Sequence, residues 1–194
     1  MRDADRAEVA VRLLDGADDG LIDRLARLVN GVYSASENGL WQAGMTRTTA
    51  AELAALVAAG QLAVAEQDGE PVGCVQVHDA APGVAEFGLL AASPERRGSG
   101  VGRTLVGYAE GRARDRGQRA MRLELLVPRE WRHPHKEFLK AWYERLGYRL
   151  VGTTTVAEVH PHLTALQATP CDVLRYEKSL VSDPAGPAPR PAGS

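Results

Sequence analysis

Glu86-Phe87-Gly88-Leu89-Leu90-Ala91-Ala92-Ser93-Pro94-Glu95-Arg96-Arg97-Gly98-Ser99-Gly100-Val101-Gly102-Arg103-Thr104 is the stretch on which the reading of this chain turns. Its first part lies in a strand from Val84 to Ala92, where Leu89, Leu90, Ala91 and Ala92 are apolar without alternation, as in a central strand covered on both faces. Its second part is a glycine-rich turn that runs into a helix from about Gly100 to Arg116. A helix that starts inside such a turn leaves several backbone N–H groups with no intrahelical partner. Glycines at 98, 100 and 102 permit positive φ and let a diphosphate approach the backbone, while Arg96, Arg97 and Arg103 add charge at the rim. The helix dipole contributes only about 0.3–2 kcal/mol, so several amides must share the work of holding an anion.

Three phosphate or nucleophile motifs fail against these residues. A Walker A loop ends in Gly-Lys-Ser/Thr, whereas Gly102 is followed by Arg103 and Thr104. A dinucleotide fingerprint starting at Gly98 needs Gly or Ala where Arg103 stands, and Pro94-Glu95-Arg96 separates the strand from the loop. A nucleophile elbow around Ser99 needs Gly in place of Arg97.

Upstream of that stretch, Val9, Val11 and Leu13 alternate as in a strand, and Leu21, Ile22, Leu25, Leu28, Val29 and Val32 recur at helical spacing from Asp19 onward. Thr49-Ala50-Ala51-Glu52 fits a capping box that opens a second helix, which Gly60 stops. Gln61 to Glu66 and Val72 to His78 read as strands joined by a turn containing Asp68-Gly69. Downstream, Met121, Leu123, Leu125 and Val127 alternate in a strand. A helix from about Lys136 to Leu146 is expected to bury Phe138, Leu139, Trp142 and Leu146 and to stop at Gly147. Tyr148 to Thr155 and Asp172 to Glu177 close the chain as strands. The order predicts a mixed α/β (α+β) single domain over residues 1–181, followed by a Pro/Ala/Gly-rich disordered tail over 182–194.

With 194 residues, 44% of them hydrophobic, the chain can build a real core without disulfide or metal staples. Cys74 and Cys171, two lone thiols, point to a reducing compartment, and no apolar run approaches the ~18 residues of a membrane span. The protein is expected in the cytoplasm. Although 20 of the 23 basic residues are arginine, 25 acidic residues offset them, and no global attraction to nucleic acid remains.

The stretch from Glu86 to Thr104 resembles the acetyl-CoA-binding motif of the GNAT superfamily of N-acetyltransferases, whose Arg/Gln-x-x-Gly-x-Gly/Ala element is matched by Arg97, Gly100 and Gly102. A second match, Ala141-Trp142-Tyr143-Glu144-Arg145-Leu146-Gly147-Tyr148, resembles the late helix of that family with its Phe-Tyr-x-x-x-Gly-Phe pattern. The resemblance implies a mostly antiparallel twisted sheet of about seven strands flanked by helices and splayed between the fourth and fifth. It implies acetyl-CoA as cosubstrate, with pantetheine in the wedge against the backbone of Leu90 and Ala92. The pyrophosphate then sits on the amides of Arg97, Gly98, Ser99, Gly100, Val101 and Gly102, beside Arg103. Tyr143 matches the general acid that protonates the departing thiolate, and Glu86 the strand glutamate that serves some members as general base. Lys136 stands where the family often has Asn, seven positions before the tyrosine.

Family members build the acceptor pocket from the regions that here hold Glu37 and Trp41, and from the stretch Glu158 to Thr169 with His160 and His162. An aromatic ring beside acidic groups suits a cationic amine. His133/His135 and His160/His162 are i, i+2 pairs, but no Cys or carboxylate cluster completes either set, so no metal is expected. The expected reaction is direct transfer of acetyl from acetyl-CoA to the primary amine of a small molecule in a ternary complex. The rival readings are a protein or peptide amine acetyltransferase and a non-catalytic CoA-binding sensor or interaction module. Neither a nucleic acid nor a membrane is an expected partner, and a homodimer is a family-level expectation.

Overall fold

Local chemistry sets most of the element boundaries. The computed structural model describes residues 8–16 and 18–181, so the tail expected over 182–194 lies outside the described residues. In chain order the elements are β1 (Ala10–Leu13), α1 (Asp19–Ser36), α2 (Ala50–Ala58), β2 (Leu62–Gln67), β3 (Glu70–Ala81), β4 (Val84–Ala92), α3 (Val101–Asp115), β5 (Ala120–Pro128), α4 (Pro134–Arg145), β6 (Arg149–Thr155), α5 (Val156–Val159) and β7 (Cys171–Ser179). Short 3-10 turns occupy Pro94–Arg96 and Pro161–Leu166. The Asp18 carboxylate accepts the Leu21 N–H and opens α1. The capping box at α2 is complete, with Thr49 and Glu52 bonding each other's backbone N–H at 2.8 and 3.2 Å. Asp68 and Gly69 both take positive φ, which matches the twist of the β2–β3 hairpin.

The seven strands form one sheet in the order β1-β2-β3-β4-β5-β7-β6, in which β4–β5 is the parallel pair and the other neighbours are antiparallel. α3 and α4 cover one face through a core containing Leu105, Ala109, Phe87, Leu123, Tyr143 and Tyr148. α1 and α2 cover the other through Leu25, Val29, Leu53, Val64 and Leu89. Gly73 lets α3 lie close on the sheet, since a Cβ there would come within 2.6 Å of the Ala91 carbonyl and 2.9 Å of Val101 and Leu105.

Two expectations need correction. The run Leu89 to Ala92 is not covered on both faces: Leu89 and Ala91 are buried, whereas Leu90 and Ala92 are half-buried on the wall of a cavity. A bulge causes the change of face. Val75 on β3 stands opposite both Leu89 and Leu90, and Leu89 takes φ +47. A non-glycine residue there costs on the order of 1 kcal/mol, so the surrounding packing must hold it. Before the bulge Ala85 and Phe87 pack toward α3, and after it Leu89 and Ala91 pack toward α1. The second correction concerns α4, whose predicted apolar stripe includes Phe138. That ring is 55% exposed and lines the cavity, while Lys136 and Tyr143 are the residues α4 buries.

Candidate active site

β4 and β5 are joined by only three rungs, Val84↔Ala120, Ala85↔Met121 and Glu86↔Arg122. Past Glu86 the strands separate, because β4 follows β3 while β5 turns to pair along its whole length with β7. The fork between them opens into a cavity of about 920 Å³ that continues from the glycine-rich loop, past Leu90 and Leu125 on the two prongs, to Trp41, His160 and His162.

At the loop end, Thr104 donates its N–H to the Gly100 carbonyl at 2.9 Å, the first such bond of α3. The amides of Val101, Gly102 and Arg103 therefore have no carbonyl within their own helix. The turn itself engages two others, Arg97 N–H on Pro94 O at 3.2 Å and Ser99 N–H on Arg96 O at 3.0 Å. The donor set expected from Arg97 to Gly102 thus moves toward the first helical turn and reaches Arg103. Gly98 and Gly100 have φ +79 and +91, and a Cβ on either would stand in open space beside the loop. Gly102 is helical rather than left-handed, and its Cα faces the Trp142 ring. Free amides at a helix start, with Arg96, Arg97 and Arg103 on the same wall, fit the diphosphate of a CoA thioester.

Tyr143 stands in the middle of the wall. It is 6% exposed and boxed by Phe87, Trp142 and Tyr148 at centroid distances of 6.1, 5.0 and 6.0 Å. Burial, reinforced by Tyr33, raises its pKa well above the usual tyrosine range, so the hydroxyl keeps its proton. Enclosure likewise pushes Tyr33, another wall residue, up to about 12.

The far end of the cavity, at Trp41, His160 and His162, is bordered by two loops that hold each other. Gln42 N–H donates to Leu166 O, Ala168 N–H donates to Leu40 O, and Trp41 bridges Gln167. Glu37, expected to meet a cationic amine, is already neutralised: Lys136 Nζ reaches Oε1 and Trp41 Nε1 reaches Oε2, each at 2.6 Å. This buried pair ties the start of α4 to the end of α1. His135, beside it on the wall, is held below the usual histidine range by burial and by the Lys136 charge. His133 is buried against Trp131, so the His133/His135 pair splits between two environments.

Glu86 stands on the last rung of the fork and does not line the cavity. Burial first, then the neighbouring Glu124, raises its pKa. Glu124 does line the cavity, accepting from Arg175 at 2.9 Å and facing His160 Nε2 at 3.2 Å. Sequence reasoning missed Glu124, Tyr33 and Arg47 as wall residues. The alternation of β5 places Glu124 on the face opposite Leu123 and Leu125, but which face meets a cavity depends on the fork.

Residues 58–150 match the family model described as an acetyltransferase (GNAT) domain. No curated protein matches the chain in sequence. Among solved structures, an aminoglycoside 6'-N-acetyltransferase complexed with coenzyme A is 18% identical, with a TM-score of 0.69 over 91% of this chain and 99% of that one. A phosphinothricin acetyltransferase from Sinorhizobium meliloti in complex with acetyl-CoA is 18% identical, with a TM-score of 0.63 over 88% of each chain. A ribosomal-protein-alanine N-acetyltransferase from Brucella melitensis is 20% identical, with a TM-score of 0.62 over 88% of this chain and 99% of that one. Their names give an aminoglycoside, phosphinothricin and a ribosomal-protein alanine, so the shared fold leaves the acceptor open.

Proposed function

We propose that this chain, whose residues 58–150 match the acetyltransferase (GNAT) domain model, transfers the acetyl group of acetyl-CoA to the primary amine of a small molecule in a ternary complex. The observation that carries this reading is the one cavity that joins the Val101–Arg103 amides to Tyr143 and to the Trp41 and His160 end. The mutual bonding of the Leu40–Gln42 and Leu166–Ala168 segments fixes the border of that end, which favours a small acceptor over a folded protein. The two buried thiols, Cys74 and Cys171, support a reducing, cytoplasmic setting. Among the described residues no helix is long and apolar enough to cross a membrane.

Acetyl-CoA supplies an acetyl group already activated as a thioester. The amides of Val101, Gly102 and Arg103 bind its diphosphate, and the fork walls at Leu90 and Ala92 receive its arm. Tyr143 donates a hydrogen bond to the sulfur as negative charge develops there. A phenol pushed above its usual range is a poor source of a whole proton for a thiolate of pKa ~8.5, so its contribution is the hydrogen bond. An alkylamine of pKa ~10.4 is neutral in about one molecule in a few thousand at pH 7, a penalty of ~4–5 kcal/mol, so the acceptor end must also remove a proton. The expected base, Glu86, stands behind Glu124 rather than on the wall.

Thiol release from acetyl-CoA in the presence of benzylamine, tyramine, spermidine and an aminoglycoside tests the proposal. Amine-dependent release with a mass gain of one acetyl on the amine is expected. Binding of acetyl-CoA without release for any amine or peptide would instead favour the non-catalytic CoA-binding reading.

A further inference from the structure

We propose that His160 is the proton acceptor for the attacking amine, with Glu124 as the positioning residue that fixes its tautomer. The inference rests on the acetyltransferase reading above and deepens it. Glu124 lies two residues beyond Arg122, the last β5 residue paired with β4, so it is the first outward-facing side chain of the open prong. In parallel register its counterpart on β4 is Gly88, and both residues line the cavity. Gly88 carries no side chain, so the space across from Glu124 stays open at the point where the prongs part.

His160 reaches this point from the end of α5, with Nε2 at 3.2 Å from Glu124 Oε2. The other Glu124 oxygen accepts from Arg175 on β7 at 2.9 Å, and a carboxylate so engaged offers His160 an acceptor. An acceptor-only partner requires the proton on Nε2, which leaves the lone pair on Nδ1. His160 lines the cavity and its side chain is 46% exposed, so the ring touches both the acceptor space and solvent. His160 meets Glu124 on β5 and His162 in the following turn, Arg175 on β7 holds the far side of Glu124, and Glu86 on β4 stands behind Glu124 among His78, Arg122 and Arg175.

The proton balance is simple. The amine enters as its neutral form, its ammonium proton having passed to solvent; its nitrogen then loses one proton to Nδ1 as its lone pair forms the bond to the acetyl carbon, and the carbon–sulfur bond breaks with its electron pair leaving on the CoA sulfur as a thiolate. The imidazolium formed stands beside the Glu124 carboxylate, and its exposed edge returns the proton to water after the amide leaves. Neither group needs a metal or a redox partner for this step.

The test uses the full chain and whichever of benzylamine, tyramine and spermidine is turned over fastest. His160→Gln is expected to lower kcat about 100-fold and to remove the acidic limb of the pH profile. In His160→Ala, added imidazole should restore at least about tenfold of the lost rate, a rescue that a purely structural histidine would not give. Glu124→Gln keeps the ring in place but withdraws the charge that stabilises imidazolium, so the acidic limb should move to lower pH with KM for the amine little changed. Acetyl-CoA affinity, followed by calorimetry, should be unchanged in all three. A His160→Gln enzyme within about twofold of the parent, or one that keeps the acidic limb and shows no rescue, overturns the proposal while leaving the acetyltransferase reading intact. Acetyl-CoA binding with neither these three amines nor the aminoglycoside turned over overturns the acceptor reading and the proposal with it.

Discussion

Two buried charge clusters, one at the β6–β7 edge and one at the fork, use the same chemistry for different ends. On the α3 side, Glu110 accepts from Tyr148 at 3.0 Å and from Lys178 at 2.8 and 2.9 Å, with Arg114 at 3.4 Å. None of these four residues lines the large cavity, and the cluster joins α3 to the β6–β7 edge. At the fork, Glu37 is held by Lys136 and Trp41, and all three stand on the cavity wall. The first cluster fastens helix to sheet across a filled core. The second fastens α1 to α4 around a hole, where the fold cannot supply apolar packing. Burial and ion pairing alone therefore do not mark a site; adjacency to unfilled space does.

Glu110→Ala is expected to have the largest effect. It strands the Tyr148 hydroxyl and a partly buried Lys178, and breaking such a pair from one side costs about 3–5 kcal/mol. A shift of the denaturation midpoint with unchanged kcat and KM in the folded fraction would fit; altered kinetics would break the contrast between the clusters. Lys136→Met should come next, at about 3 kcal/mol, because Glu37 is left buried with Trp41 alone. Here the acceptor KM must rise as well, and the double variant Glu37→Leu/Lys136→Met should recover stability but not the KM.

Tyr143→Phe removes a hydroxyl on the cavity wall while leaving the ring box intact. The expected result is a kcat loss of about 10–100-fold, some 1.4–2.7 kcal/mol, with melting temperature unchanged. An unchanged kcat would remove Tyr143 from the mechanism. Glu86→Gln should have the smallest effect. The raised carboxyl pKa means that ionisation is less favourable in the folded chain than in the unfolded one. Its stability contribution is therefore full below the unfolded carboxyl's range and is lost as pH climbs through the raised folded value. The variant should gain on the parent from about pH 4.5 upward and match it below, as melting curves across pH would show.

What sequence could reveal follows from the range of each interaction. The Asp68-Gly69 turn, the Thr49/Glu52 capping box and the helix that begins at the glycine-rich loop are settled within four residues, and each stands where the chain's chemistry puts it. The fork was expected only through family resemblance, since it depends on β5 choosing β7 over β4. Phe138 shows the cost of reading periodicity alone: its apolar stripe is real, but that part of α4 lies over the open fork rather than over filled sheet. Glu37 and Lys136 are 99 residues apart and Glu124 and His160 are 36 apart, distances at which spacing carries no information. Trp41, His160 and His162 do share the cavity wall, so their convergence was legible while the pairing of Glu37 and Glu124 was not.

The most direct test of the account is a calorimetric titration of the full chain with acetyl-CoA and with dephosphorylated pantetheine as a diphosphate-free control. Saturable one-to-one binding of acetyl-CoA, lost with the control and weakened in Gly100→Val, is the predicted result. Absence of binding to acetyl-CoA and to CoA at millimolar concentration, in a chain that is folded by circular dichroism, would contradict it.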